Sequence, residues 1–178
     1  MESLVLTVIG PDRPGLVESI ASTIAQHGAS WVDSRMSRLS GQFAGILQVS
    51  VPRDHSAELF RALMELERGG LRVVVQPGTP AAERDVAARR VKLDLLGADR
   101  PGIVQSVSSA LAQRGVNVEE LLTECIDAPL SGGLLFKAVA TLSVPDGVTL
   151  ESLRVRLEAI ASDLMVDIAL EEAITTPR

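Results

Sequence analysis

A segment of nineteen residues occurs twice in this chain, and this repeat constrains the fold more than any other feature of the sequence. The copy GPDRPGLVESIASTIAQHG begins at Gly10 and the copy GADRPGIVQSVSSALAQRG begins at Gly97, so they lie 97 − 10 = 87 residues apart. Eleven of the nineteen positions are identical. Solenoid repeats have periods of roughly 20 to 50 residues, so this longer period indicates two copies of a small domain, each with its own core.

The length and charge of the chain limit what two such domains can do. Its 178 residues leave room for two domains of about 80 residues, close to the lower limit for burying an adequate core. The net charge is −6, and the chain has three Phe, one Trp and no Tyr, so we expect no direct contact with nucleic acid. The chain shows no signal peptide and no apolar run of about 18 residues, so we expect a cytoplasmic protein without a membrane contact.

The reactive residues are few, and their spacing does not suggest catalysis. Cys125 is the only cysteine, which excludes an internal disulfide and a cysteine-based metal site. The two histidines, His27 and His55, have no neighbouring nucleophile and no metal-ligand spacing. We therefore expect no catalytic residue, no metal and no cofactor, and a protein that is not an enzyme.

Both copies predict the same order of secondary structure elements. In each, an apolar strand ends at the first glycine of the repeat, an amphipathic helix follows, and a hairpin, a second helix and a final strand complete the unit. The order βαββαβ predicts an α+β protein made of two tandem ferredoxin-like domains, each an antiparallel sheet with two helices on one face. The predicted bounds are 1–77 for the first domain, 78–90 for a linker and 91–174 for the second domain.

The hairpins of the two copies differ in length. Both hairpins end in Val-Pro, at Pro52 and at Pro145, and these prolines are 145 − 52 = 93 residues apart. The offset has therefore grown by 93 − 87 = 6 residues since the first repeat. We expect a longer hairpin loop in the second domain, around residues 126–133.

The loop G-x-D-R-P-G, which precedes the first helix of each copy, is the candidate functional site. Proline suits the first position of a helix, so we expect the helices to begin at Pro14 and Pro101. Gly15 and Gly102 would then leave backbone N–H groups approachable at the positive end of the helix dipole, where a carboxylate can bind. On this interpretation, a bulky residue at Gly102 blocks the ligand and leaves the fold intact.

The charged residues of the loop have two interpretations. Asp12 and Asp99 are expected either to cap the helix or to hold a ligand amino group, and Arg13 and Arg100 to meet a ligand carboxylate or an acidic neighbour. Aspartate before Pro-Gly is also good capping chemistry without any ligand. A purely structural loop therefore stays open as an alternative.

The DRPG signature and the segment Gly115-Val116-Asn117-Val118 resemble the ACT domain, a small βαββαβ module that binds amino acids and regulates metabolic enzymes and transcription. The resemblance implies an effector site between paired domains, built from this loop and from the start of the second strand. The implied site residues are Gly10, Asp12, Arg13, Pro14, Gly15 and Ser30 in the first copy and Gly97, Asp99, Arg100, Pro101, Gly102 and Asn117 in the second. Ser30 replaces the asparagine in the first copy, so the two sites need not be equivalent.

Two ACT-like units in one chain resemble the glycine cleavage system transcriptional repressor family. This resemblance implies a non-enzymatic, amino-acid-responsive regulator of transcription that acts through a LysR-type activator, with glycine as the effector and a homodimer as the assembly. Two alternatives remain at this point. One is a ligand-free module that binds a protein through a sheet edge, and the other is a relative of the regulatory ACT segment of formyltetrahydrofolate hydrolase.

Overall fold

The computed structural model of the chain describes residues 1–78, 89–128 and 133–172. The chain divides into two compact units, residues 1–84 and 85–178. In the first unit the elements are β1 (Glu2–Pro11), α1 (Leu16–Gln26), β2 (Ser30–Leu39), β3 (Gln42–Val51), α2 (Ser56–Glu65), a 3-10 turn (Leu66–Gly69) and β4 (Arg72–Pro77). In the second unit they are β5 (Arg89–Ala98), α3 (Ile103–Ala112), β6 (Asn117–Asp127), β7 (Leu134–Val144), α4 (Leu150–Leu164) and β8 (Val166–Glu172).

The strands of each unit form one antiparallel sheet of four strands. The strand orders are β2-β3-β1-β4 and β6-β7-β5-β8, and each neighbouring pair is antiparallel. The two orders are equivalent, because β6, β7, β5 and β8 are the counterparts of β2, β3, β1 and β4 in chain order. The prediction of two tandem ferredoxin-like domains is therefore confirmed.

Each domain has a hydrophobic core of its own. Along β1 every second residue is buried, at Leu4, Leu6 and Val8, because successive side chains of a strand point to opposite faces of the sheet. The helices contribute residues at helical spacing, such as Ile20 and Ile24 of α1. The buried cluster of the first domain shares no residue with that of the second.

The first helix of each domain ends in a tight reversal of the chain. Gly28 and Gly115 adopt left-handed φ values of 64° and 69°, as predicted for glycines that end helices. The N–H of Gly28 donates to the carbonyl of Ala25 at 3.0 Å, and that of Ala29 to the carbonyl of Ile24 at 3.2 Å. This pair of bonds is the Schellman motif, and Gly115 and Val116 form the same pair in the second domain. After this reversal, β2 and β6 begin at the end of the sheet that lies away from the repeated loop.

Some boundaries differ from the predicted ones. Strands β1 and β5 continue one residue past Gly10 and Gly97, because these glycines still pair with residues of β3 and β7. Strand β5 begins at Arg89, inside the predicted linker, of which residues 79–88 lie outside the described ranges. Two residues, Ser40 and Gly41, connect β2 to β3, whereas residues 128–133 connect β6 to β7, so the second hairpin loop is longer, as expected. Residues 129–132 of that loop lie outside the described ranges.

None of the helices in the described ranges is long and apolar enough to cross a membrane.

Candidate functional site

In both domains the repeated loop makes a tight turn that delays the start of the helix by two residues. Gly15 has φ 89° and ψ 0°, and Gly102 has φ 96° and ψ −6°. With proline at the preceding position, these are the angles of a type II turn, which needs glycine at its third residue. Such a φ does not occur in an α-helix, so α1 begins at Leu16 and α3 at Ile103. The prediction that the helices begin at the two prolines is wrong.

The turn leaves the first N–H groups of each helix without a helical partner. The first bond of α1 runs from the N–H of Ser19 to the carbonyl of Gly15, and the first bond of α3 from Ser106 to Gly102, both at 2.9 Å. No side chain caps the N-terminus of either helix. A Cβ atom added to Gly15 or Gly102 would meet no atom within 4 Å, so the described part of the loop surface is open at these positions.

The charged side chains of the first loop hold the loop in place. Asp12 Oδ2 lies 2.9 Å from Arg38 Nε on β2, and the N–H of Asp12 donates to the carbonyl of Gly41 at 2.9 Å. Arg13 Nη2 donates to the carbonyl of Gly69 at 3.0 Å. Asp12 is therefore an ion-pair partner and not a helix cap, and Arg13 meets a carbonyl rather than an acidic side chain.

The second loop keeps the backbone contact and lacks the side-chain contacts. The N–H of Asp99 donates to the carbonyl of Leu134 at 2.9 Å, as Asp12 does to the corresponding hairpin turn. Within residues 89–128 and 133–172, the side chains of Asp99 and Arg100 form no ion pair or hydrogen bond. Both side chains are therefore available to a ligand in the described part of this domain, and Asp99 does not cap α3 either.

The two helix N-termini also differ in charge. Helix α1 carries Glu18 in its first turn, whereas α3 carries Gln105 at the equivalent position, since 18 + 87 = 105, and has no acidic residue in its first turn. A carboxylate in the first turn occupies the positive end of the helix dipole and repels a second anion. The second loop is therefore the better place for an anionic ligand.

Gly10 and Gly97 have a packing role. A Cβ atom on Gly10 would lie 2.6 Å from the carbonyl oxygen of Gly70, and one on Gly97 would lie 2.8 Å from Cα of Val166. The chain that enters β4 or β8 therefore passes directly against these glycines. The backbone does approach Gly10 and Gly97 closely, as expected. The approach packs β1 and β5 against the chain that enters β4 and β8, and it does not shape the turn before the helix.

Ser30 and Asn117 lie at the other end of their sheets. Ser30 pairs with Ser50, which pairs with Ser3, and Gly10 lies 10 − 3 = 7 residues further along β1. At about 3.4 Å per residue, this places Ser30 about 24 Å from the loop of its own domain. Asn117 pairs with Ser143, which pairs with Arg90, again 97 − 90 = 7 residues from Gly97. Within one domain, the structure does not bring the predicted strand residue to the predicted loop.

The other reactive side chains lie apart from the loops. His27 Nδ1 is 2.8 Å from the carbonyl oxygen of Thr23, and His55 Nδ1 is 3.1 Å from that of His27. Cys125 is exposed on β6. In the part of the chain that the structure describes, no three His, Cys, Asp or Glu side chains come together as a possible metal site.

Comparison with known families and proteins finds similar domains. A family model described as the ACT domain matches residues 2–76. A UPF0237 protein of Methanococcus maripaludis is 35% identical over 79 residues, which are 43% of this chain and 88% of that protein. The glycine cleavage system transcriptional repressor of Escherichia coli is 26% identical over 121 residues, which are 67% of this chain and 63% of the repressor. The match thus spans less than two thirds of the repressor.

The similarity to solved structures covers both domains. A crystal structure of a protein of unknown function from Galdieria sulphuraria has a TM-score of 0.82 and 29% sequence identity. The alignment covers 97% of this chain and 99% of that one. The Galdieria sulphuraria chain therefore also contains two such domains in tandem, and the two chains have nearly the same length.

Proposed function

Since the chain belongs to the ACT domain family, we propose that it is a non-enzymatic regulatory protein that responds to an amino acid. Glycine is the proposed effector, and a LysR-type activator of the glycine cleavage genes is the proposed protein partner. The similarity to the Escherichia coli repressor supports this choice. The proposed protein works in the cytoplasm as a homodimer and does not bind DNA itself, in keeping with its net charge of −6.

The geometry of the repeated loop is the observation that carries this proposal. Each loop presents uncapped N–H groups of a helix next to an open surface. An amino acid always carries a carboxylate, and the N-terminus of a helix favours such a group through its N–H groups and its dipole. In the second domain, Asp99 and Arg100 are in addition free of ion pairs within the described ranges, so Asp99 is placed to accept a hydrogen bond from the ligand ammonium group.

A complete site in this proposal takes residues from two domains. Asn117 and the loop of residues 97–102 are about 24 Å apart within their own domain, which is far more than the length of an amino acid. One ligand can contact both kinds of residue only if the loop of one domain meets the strand start of another. This arrangement agrees with the effector site between paired domains that the resemblance to ACT proteins implies.

A binding screen of the twenty amino acids tests the proposal. We expect glycine to give a saturable heat in calorimetry and to raise the melting temperature, because a ligand that binds only the folded state stabilises it by RT ln(1 + [L]/Kd). Trp31, the only tryptophan of the chain, follows Ser30 and gives a separate fluorescence signal for binding at that strand end. If no amino acid binds, the protein is a ligand-free interaction module and the proposal is wrong.

The Asn117→Ser variant tests the site itself. It gives the second domain the residue that the first domain has at this position, and a lost hydrogen bond to a charged ligand costs about 1.5–3 kcal/mol, or about a tenfold or greater loss of affinity. Ser30→Ala makes the parallel change at the equivalent position of the first domain, and we expect it to weaken glycine binding less than Asn117→Ser does, because that position carries no amide. Equal effects of the two variants would mean that the domains contribute equally, and no effect of either would place the ligand elsewhere.

Coupling to the protein partner is measured separately. If glycine controls binding of the activator, each must change the affinity of the other by the same factor, commonly about 5 to 150-fold. The experiment titrates the activator with and without glycine, and glycine with and without the activator. An activator that binds with the same affinity in both conditions contradicts the regulatory part of the proposal, even if glycine binds.

A further inference from the structure

A polar groove lies between the two helices of the second domain, and it extends along α3 from its first turn, which follows the repeated loop, to its C-terminal end. Its volume is about 360 Å³, within the range of small-ligand sites. The groove is lined mainly by Gln105, Ser106, Ser109 and Gln113 of α3 and by Arg156 and Ile160 of α4. Its described lining therefore contains one cation, two hydroxyl groups, two amide groups and no carboxylate, in a chain whose net charge is −6.

The polar groups of this groove are available to a ligand. Arg156 is exposed, and it forms no ion pair or hydrogen bond with any residue in the described ranges. Gln113 Nε2 lies 3.4 Å from Ser109 Oγ and donates to it, so the hydroxyl proton of Ser109 can be given to another acceptor. The described lining of the groove therefore offers a guanidinium and two hydroxyl groups as donors and no carboxylate, which is the chemistry that binds a carboxylate or a phosphate.

The first domain lacks this combination of residues. Its equivalent of Gln105 is Glu18. The buried leucines Leu59 and Leu63 of α2 correspond to Leu153 and Leu157 of α4, since 153 − 59 = 157 − 63 = 94, and Ala62 therefore stands where α4 has Arg156. Duplication alone does not account for the cationic groove, because the two substitutions that change the charge of its lining both favour an anion in the second domain.

We propose that the groove between α3 and α4 is a second ligand site, distinct from the proposed amino-acid site at the repeated loop, and that it binds a small oxyanion. Arg156 provides the charge and two parallel N–H donors, and Ser106 and Ser109 provide hydroxyl donors on the facing helix. The open shape of the groove and its single cation suit an anion of a few heavy atoms, with a Kd of about 1 mM, corresponding to about −4 kcal/mol. The shared chemistry is that of a phosphate or a carboxylate.

The test is a titration of the full-length protein with inorganic phosphate and, separately, with succinate, followed by ¹H–¹⁵N NMR. We expect saturable shifts centred on the amides of Ser109 and Gln113 with at least one of the two probes, and the comparison tells which oxyanion the groove prefers. No saturable shift with either probe would overturn the proposal. Shifts centred instead on Gly102 and Asn117 would assign the anion to the loop site and overturn the proposal. Because glycine is tested separately, failure here leaves the proposed amino-acid response unaffected.

The variant Arg156→Gln and its control Arg154→Gln remove the same charge from the same helix. Arg154 Nη2 is 3.5 Å from the carbonyl oxygen of Leu170, so its guanidinium is directed to β8 and away from the groove. We expect Arg156→Gln to weaken anion binding about tenfold or more, as for the loss of a charge-assisted hydrogen bond, and Arg154→Gln to leave it nearly unchanged. Equal weakening by the two variants would show a general charge effect and would overturn the proposal.

A gain of binding in the first domain provides an independent test. The double variant Glu18→Gln with Ala62→Arg gives α1 and α2 the two residues that set the charge of the groove in the second domain. We expect a second set of saturable shifts at Ser19 and Ser22, the equivalents of Ser106 and Ser109. Unchanged spectra in the first domain, with the domain still folded, would show that these residues are not what binds the anion.

Discussion

The glycines of the repeated loop are required for two different physical reasons. Gly10 and Gly97 are required for space, because a Cβ atom would overlap the chain just before β4 at Gly10 and the first residue of β8 at Gly97. Gly15 and Gly102 are required for conformation, because their φ values of 89° and 96° are those that side chains other than glycine rarely adopt. We therefore expect a substitution at Gly102 to lower the stability of the fold as well as to hinder the access of a ligand.

The Gly102→Ala variant measures this conformational requirement. We expect it to lower the free energy of unfolding by about 1–2 kcal/mol, the cost of a left-handed conformation for an L-residue. Gly147→Ala is the control, since Gly147 also has open space around its Cβ position but no left-handed φ. Urea unfolding of both variants checks the difference. A Gly102→Ala protein as stable as the control would show that the turn readily adopts another conformation.

At the scale of the elements, the four helices begin in different ways. Thr149 caps α4, because its hydroxyl accepts a hydrogen bond from the N–H of Ser152 at 3.2 Å. The N-termini of α1, α2 and α3 have no side-chain cap. Since α2 lacks a cap as well, a missing cap does not by itself mark a ligand site. The repeated loops are distinguished by the combination of an uncapped helix with an open type II turn.

The Thr149→Ala variant tests the contribution of the cap. Loss of a threonine cap destabilises a helix by about 1 kcal/mol, so we expect a decrease of this size in the free energy of unfolding. Thr149→Ser keeps the hydroxyl group and should retain most of the stability. Equal losses in the two variants would instead point to the methyl group of Thr149. Because Thr149 is not one of the proposed site residues, glycine affinity should stay unchanged in both.

The elements were predictable from the sequence because the signals for them are local. Alternating apolar residues in β1 and apolar residues at helical spacing in α1 depend only on neighbours in the chain. The helix start was predicted wrongly because Pro-Gly suits two local structures, the first turn of a helix and the centre of a type II turn. The ion pair of Asp12 with Arg38 was not predictable, since only the folded hairpin brings these two residues together.

At the scale of the whole molecule, the two copies have diverged in the residues that a ligand would contact. Asn117, Gln105 and Arg156 of the second domain correspond to Ser30, Glu18 and Ala62 of the first. Each of these differences gives the second domain the group better suited to an anion or an amino acid. The repeat was visible in the sequence, and so were these differences, but the separation of Asn117 from its own loop became clear only from the register of the strands.

Asn117 pairs with Ser143, Ser143 pairs with Arg90, and Arg90 lies seven positions before Gly97 on β5. This separation has a consequence for how binding is measured. A ligand that contacts the loop of one domain and the strand start of another holds the two domains together. Its binding curve then depends on the association of the domains as well as on the ligand concentration. If the two domains belong to two chains, as in the proposed homodimer, the apparent glycine affinity should fall when the protein is diluted below its dimer dissociation constant. A glycine affinity that stays constant over a hundredfold dilution would mean that one chain supplies both the loop and the strand start of the site.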